Sequence, residues 1–166
     1  MTNETLLQQL GKRAKRASAA LNRTTDAERN EALRAIAQQL RTDESTILEA
    51  NALDVTRARE KGTDEAVIDR IVLNEERLEA IAEAAEQIAN LANPLGRTSE
   101  QSTHDKGFTI EKVTVPLGVI GMVYEARPNV TVDAAALCLK TGNAVLLRGS
   151  SSALDSNKAL VASIQR

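Results

Sequence analysis

Between Asn3 and Leu91 the apolar residues recur at steps of three and four, and after Phe108 they gather instead into short unbroken runs. That change of period divides the chain more sharply than any other feature. Leu6, Leu7, Leu10, Ala14, Ala17 and Leu21 make one stripe, Leu33, Ile36, Ala37 and Leu40 a second, and Leu78, Ile81, Ala85 and Ile88 a third. A stripe at 3.6-residue spacing buries one face of a helix, so this half is helical. Its breaks carry side chains able to cap the free N–H groups of a new helix. Thr25 with Glu28 forms a capping box, and Asp43, Thr63 and Asn74 each precede a periodic stretch. Gly62 ends the helix containing Ile47, and Asn93-Pro94-Leu95-Gly96 closes the region.

From Arg97 to Gly107 the chain is polar and is expected to be a loop or one weak strand of a hairpin. Phe108, Ile110, Val113 and Val115 then mark a half-exposed strand. Val119 to Tyr124 and Ala144 to Leu147 are apolar enough to be strands buried on both faces. A helix from Val130 to Lys140 lies between them, Thr141-Gly142-Asn143 stops it, and Leu154 to Ile164 is helical again. Strand, helix, strand, helix with short links implies parallel pairing. The fold class is therefore α/β: a helical region over 1–96, a loop and hairpin strand over 97–117, and the first βαβα units of a doubly wound, Rossmann-like sheet over 118–166. Two strands do not complete such a sheet, and the chain is expected to be the N-terminal piece of a longer protein.

Composition removes several functions. Only Phe108 and Tyr124 are aromatic, which leaves no stacking platform for single-stranded nucleic acid. One Cys and one His supply neither a disulfide framework nor a zinc site, so no metal is expected. The single Cys fits a reducing compartment, and a cytoplasmic location is expected; no apolar window is long enough for a membrane span, and no signal-peptide core is expected in the first 25 residues. Residues 42–100 carry 14 acidic and 6 basic groups, an excess that reads as a solvated face. Lys12, Arg13, Lys15 and Arg16 spread over several faces of one helix and are expected to be exposed.

In an open α/β sheet, ligands bind beyond the carboxyl ends of the strands. Two loops fall there. Glu125-Ala126-Arg127-Pro128-Asn129 offers a guanidinium and an amide beside a helix start, and Arg148-Gly149-Ser150-Ser151-Ser152 offers a guanidinium and hydroxyls. Both suit anions. Asn129 equally serves as a helix cap, and Ser150 as a turn cap. Cys138 lies in an apolar helix and reads as a core thiol. His104 has no evident partner and reads as solvated.

The run from Val115 to Asp133, and most specifically its part Tyr124-Glu125-Ala126-Arg127-Pro128-Asn129-Val130-Thr131-Val132-Asp133, closely resembles the gamma-glutamyl phosphate reductase family, of the aldehyde dehydrogenase superfamily. Leu137 to Gly149, Ile47 to Val55 and Ile68-Asp69-Arg70-Ile71 extend the resemblance over nearly the whole chain. The resemblance implies NADPH-dependent reduction of L-glutamyl 5-phosphate to glutamate 5-semialdehyde and phosphate, in proline biosynthesis. It implies a Cys thiolate that displaces phosphate to form a thioester, followed by hydride transfer. That nucleophile lies in a later domain of the family, so this chain alone is expected to be inactive. By resemblance Asn129 is the oxyanion-hole donor, Arg127 a substrate-binding group, and Arg148 and Ser150 cofactor contacts, with Arg148 suited to the 2′-phosphate of NADPH. A homo-oligomer of the complete enzyme and an association with glutamate 5-kinase are also implied, although only a helical tail precedes Thr25, too little for a kinase fused in front. The reading from another class is a non-catalytic fragment that binds a nucleotide or a partner chain.

Overall fold

A computed structural model describes residues 3–166. Five helices come first: α1 (Asn3–Leu21), α2 (Asp26–Thr42), α3 (Glu44–Glu60), α4 (Glu65–Ile71) and α5 (Glu75–Asn90). Their ends follow the capping chemistry, with two shifts. Thr25 and Glu28 form the reciprocal capping box of α2, and Asn74 accepts from the Arg77 N–H at 2.8 Å. At α4 the cap is Asp64 rather than Thr63, because the Asp64 carboxylate reaches the Ala66 N–H. Asp43 stands at the α2–α3 junction without capping α3; its carboxylate is taken by Ser163 Oγ at 2.7 Å and Arg166 Nη1 at 2.8 Å. Gly62 takes φ of 68° just past α3, a left-handed turn that a side chain would strain.

Strands β1 (Thr98–Thr103) and β2 (Thr109–Val113) then form an antiparallel hairpin, exposed along both strands. The polar stretch before Phe108 is thus a full strand, held by its ladder rather than by burial. His104 is not unpartnered: the turn brings its ring flat onto Phe108, centroids 4.5 Å apart.

The remainder is β3 (Val119–Val123), α6 (Pro128–Lys140), β4 (Ala144–Arg148), a 3₁₀ turn (Ser151–Ala153) and α7 (Leu154–Ile164). β3 and β4 pair in parallel, in register from Val119 with Ala144 to Val123 with Arg148. Neither strand is buried on both faces as its composition suggests. Val123 is 82% exposed. The cause is cover: α1 and α6 pack chiefly against β4, leaving the outer end of β3 open. Helix α6 begins two residues earlier than its apolar run implies, because Pro128 is pre-set for the first helical position and Arg127 before it is extended.

The core joins both halves. Ile36, Leu40, Leu78 and Ile81 from α2 and α5 pack with Val132 of α6 and Leu160 of α7. Polar buckles reinforce it. Buried Asp54 on α3 accepts from the Ser156 N–H and hydroxyl at 2.8 and 2.7 Å, and buried Asn51 bonds Ser156, the Ile71 carbonyl and the Leu73 N–H. These contacts fix α4 and the α4–α5 link relative to α3 and α7. Lys140, 2% exposed, ends α6 against Asp26 at 3.1 Å and Asn30 at 2.6 Å of α2.

Candidate functional site

Because β3 and β4 run parallel, their carboxyl ends lie side by side, and the Tyr124 N–H donates to the Arg148 carbonyl at 3.2 Å. Two clefts open at this end.

The first, of about 430 Å³, lies between the start of α6 and the α4–α5 corner. Arg127, Pro128, Asn129 and Asp133 form one wall; Asp69 and Arg70 of α4, Val72, Leu73, and Arg77, Ala80, Ile81 and Ala84 of α5 form the other. The loop entering α6 is held tight by the Arg127 N–H bonding the Glu125 carbonyl at 2.9 Å. No side chain caps α6, and Asn129 does not do so. It sits inside the first turn, where its Nδ2 donates to Asp133 Oδ2 at 3.2 Å. One amide hydrogen and the amide oxygen remain for a ligand. Burial pushes the Asp133 carboxyl above the usual range, opposed by the Asn129 bond.

The cations of this cleft differ in what they already hold. Arg77 is spent: it donates to the Asp69 and Val72 carbonyls at 2.6 and 2.9 Å and to the Asp69 carboxylate at 2.7 Å, sealing the end of α4. Arg70 has one distant pairing, 3.8 Å from Glu125, which is itself 80% exposed. The Arg127 guanidinium makes no hydrogen bond or ion pair among the described residues. Two guanidinium groups and an amide over an apolar wall suit a small anionic ligand with a methylene chain.

The second cleft, also about 430 Å³, lies between the end of β4 and α7. Arg148, Lys158 and Gln165 line it beside Tyr124 and Asn157. Arg148 bonds the carbonyl of its neighbour Gly149 at 2.8 Å, and neither Arg148 nor Lys158 has an acidic partner among the described residues. Two uncompensated cations at a cleft edge fit the phosphate of a nucleotide. Ser150 lines neither cleft. Its hydroxyl accepts from the Ser152 N–H at 3.2 Å and starts the 3₁₀ turn, as a capping serine does. Behind the loop, Thr131 is shared: its hydroxyl meets Tyr124 Oη at 2.6 Å and donates to Asn157 Oδ1 at 2.9 Å.

Arg127 and Asn129 therefore share one cleft, and Arg148 lies in the other. Sequence reasoning gave no role to Arg70, Arg77 or Lys158. Arg70 had a signal: Ile68 and Ile71 are the buried residues of α4, so Asp69 and Arg70 between them face outward. Cys138 is buried away from both clefts, and burial pushes its thiol up, as expected of a core thiol. Among the described residues no His, Cys, Asp and Glu side chains gather into a metal site, and no helix is long and apolar enough to cross a membrane.

The sequence matches the aldehyde dehydrogenase family over residues 2–166. The gamma-glutamyl phosphate reductase of Oceanobacillus iheyensis is 57% identical over 150 residues, 90% of this chain and 36% of that protein. That of Bacillus subtilis is 54% identical over 155 residues, 93% of this chain and 37% of that protein. The crystal structure of the Thermotoga maritima gamma-glutamyl phosphate reductase superposes with a TM-score of 0.92 at 42% identity, covering 96% of this chain and 38% of that one. The Saccharomyces cerevisiae counterpart gives 0.91 at 28% identity, covering 99% of this chain and 41% of that one. The chain thus spans little more than a third of the length of the curated relatives that it matches.

Proposed function

Since the chain belongs to the aldehyde dehydrogenase family, with an aldehyde dehydrogenase-like α/β fold, we propose that it contributes the substrate- and cofactor-contacting residues for NADPH-dependent reduction of L-glutamyl 5-phosphate to L-glutamate 5-semialdehyde and phosphate, a step of proline biosynthesis in the cytoplasm. The observation that carries the proposal is the first cleft, where Asn129 points an uncommitted amide hydrogen and Arg127 a free guanidinium over an apolar wall.

On this reading Asn129 donates to the oxygen of the reacting acyl carbon as charge develops there. Asp133, by holding the other amide hydrogen, fixes the orientation of that donor. Arg127 holds the phosphate as it leaves. Arg148, joined by Lys158, grips the 2′-phosphate of NADPH, and Ser150 shapes the turn that carries Arg148. NADPH when bound supplies the hydride. The nucleophilic thiolate is not Cys138, so the 166 residues alone are inactive. Residues 1–96 are the helical region, 97–117 the oligomerisation hairpin and 118–166 the opening of the cofactor domain, in a homo-oligomer that associates with glutamate 5-kinase.

The test joins these residues in frame to the remaining length of the Oceanobacillus iheyensis relative and follows NADPH oxidation that depends on L-glutamyl 5-phosphate. Asn129→Ala is expected to lower kcat by about 10²–10³ with the melting temperature unchanged. Asn129→Asp should be as poor a catalyst, because a carboxylate opposes the developing oxyanion, and somewhat less stable, because that carboxylate would face Asp133 where the amide now donates. A fully active Asn129→Asp enzyme removes Asn129 from the reaction, and turnover by the 166 residues alone, lost on Cys138→Ser, overturns the placing of Cys138.

A further inference from the structure

Two walls face each other across the first cleft, and only one belongs to the βα loop. The other is built from α4 and α5, and of its two arginines Arg77 is committed to Asp69 and to the carbonyls that end α4. Arg70 is not committed. It is half-exposed, and its single pairing spans 3.8 Å to a carboxylate largely in water, which at that exposure holds it weakly. Ile68 and Ile71, both buried, anchor α4 on either side of it. Asp133, the carboxylate of the opposite wall, takes the Asn129 amide and draws no support from either guanidinium. The cleft therefore presents a second free cation, supplied by a different part of the chain from Arg127.

We propose that Arg70 is a specificity-determining residue that pairs with the α-carboxylate of the substrate. The inference rests on the reading of the cleft as the substrate site. If the acyl end of the ligand lies against Asn129, its methylenes run along Val72, Leu73 and Ile81, and the far end meets the α4 wall. A planar carboxylate there matches the guanidinium fork, and an apolar terminus would leave that fork unpaired.

The test titrates L-glutamate and 4-aminobutyrate, which is glutamate without its α-carboxylate, into the isotopically labelled 166-residue chain and follows backbone amide shifts. L-Glutamate is expected to shift the signals of residues 69–73, 127 and 129. Arg70→Ala should weaken L-glutamate about ten-fold or more and leave 4-aminobutyrate as in the wild type. Arg70→Lys should fall between, since it keeps the charge and loses the fork. Arg70→Gln keeps much of the side-chain stem, and a dispersed amide spectrum for each variant separates loss of binding from loss of fold. The proposal is overturned if Arg127→Ala weakens L-glutamate while the Arg70 variants do not, or if Arg70→Ala weakens both probes alike. If wild-type signals in the cleft do not move with L-glutamate, or if neither the Arg127 nor the Arg70 variants alter that response, the reading of the cleft falls with it.

Discussion

Replacing Gly149 by alanine is expected to cost about 2–4 kcal/mol of folding stability, an amount set by the two side chains packed over it. A Cβ at this position would lie 2.4 Å from Asn157 Nδ2 and 3.0 Å from the Tyr124 ring and hydroxyl. Both neighbours are tethered to the same hydroxyl, Tyr124 at 2.6 Å and Asn157 at 2.9 Å from Thr131 Oγ1. Asn157 cannot retreat by the ångström required without stretching its bond to Thr131, and Tyr124 is held on the other side. Overpacking of a filled site costs about 1–3 kcal/mol and each hydrogen bond lost adds about 1 kcal/mol. For a chain of this size that corresponds to a fall in melting temperature of about 5–15 °C. Urea unfolding followed by circular dichroism measures the loss. In an Asn157→Ala background, where the obstruction is gone, the cost of Gly149→Ala should shrink by about 1 kcal/mol or more. A Gly149→Ala protein with the wild-type midpoint, or two substitutions whose costs simply add, refutes the reasoning.

Lys140→Met should cost about 2–3 kcal/mol by urea unfolding, because it leaves the partly buried Asp26 carboxylate only the Asn30 amide at 2.9 Å and Arg29 at 3.7 Å; Lys140→Met with Asp26→Asn should recover much of it. Joined to the remaining length of a matched relative, Arg148→Ala is expected to weaken NADPH more than NADH, and equal loss in fluorescence titrations would make Arg148 structural. Hydrogen bonds from Arg41 hold Glu79 and Glu86 below the usual carboxylate range. Their folded pKa values are depressed, so this stabilisation is complete above the ordinary Glu range and fades as pH falls through the folded values. Melting temperatures taken from about pH 7 to about pH 3 should fall on acidification, and Arg41→Gln should make the decline shallower.

The helices were legible because burial in them is periodic: Leu33, Ile36, Leu40, Leu78 and Ile81 announce both the helix and the face it buries. The capping box at Thr25 and Glu28 was legible because both bonds form within one turn. Cap choices that depend on distant partners were not. Asp43 looks like a cap until Ser163 and Arg166 arrive to claim its carboxylate. Exposure of β3 was illegible for a related reason, since an apolar run states what a strand tolerates and not what covers it. In the candidate site, Arg127 and Asn129 were found from their place after a strand. The opposite wall was hidden, because what brings α4 to that place is a set of bonds from Asn51 to Ile71 and Leu73, more than 50 residues before the loop it faces.

The joining of early helices to α7 also dictates an order of events during synthesis. Asp43 meets its Ser163 partner only after a further 120 residues have been made, roughly 6–24 s at a ribosomal rate of roughly 5–20 residues per second. Within that interval α2, α3 and α5 are made in turn while their shared apolar face still lacks Val132 and Leu160. The nascent chain thus passes through a long stage in which chaperones can recognise it, and shortening that stage by faster translation of the stretch from β1 to α7 should raise the yield of folded protein.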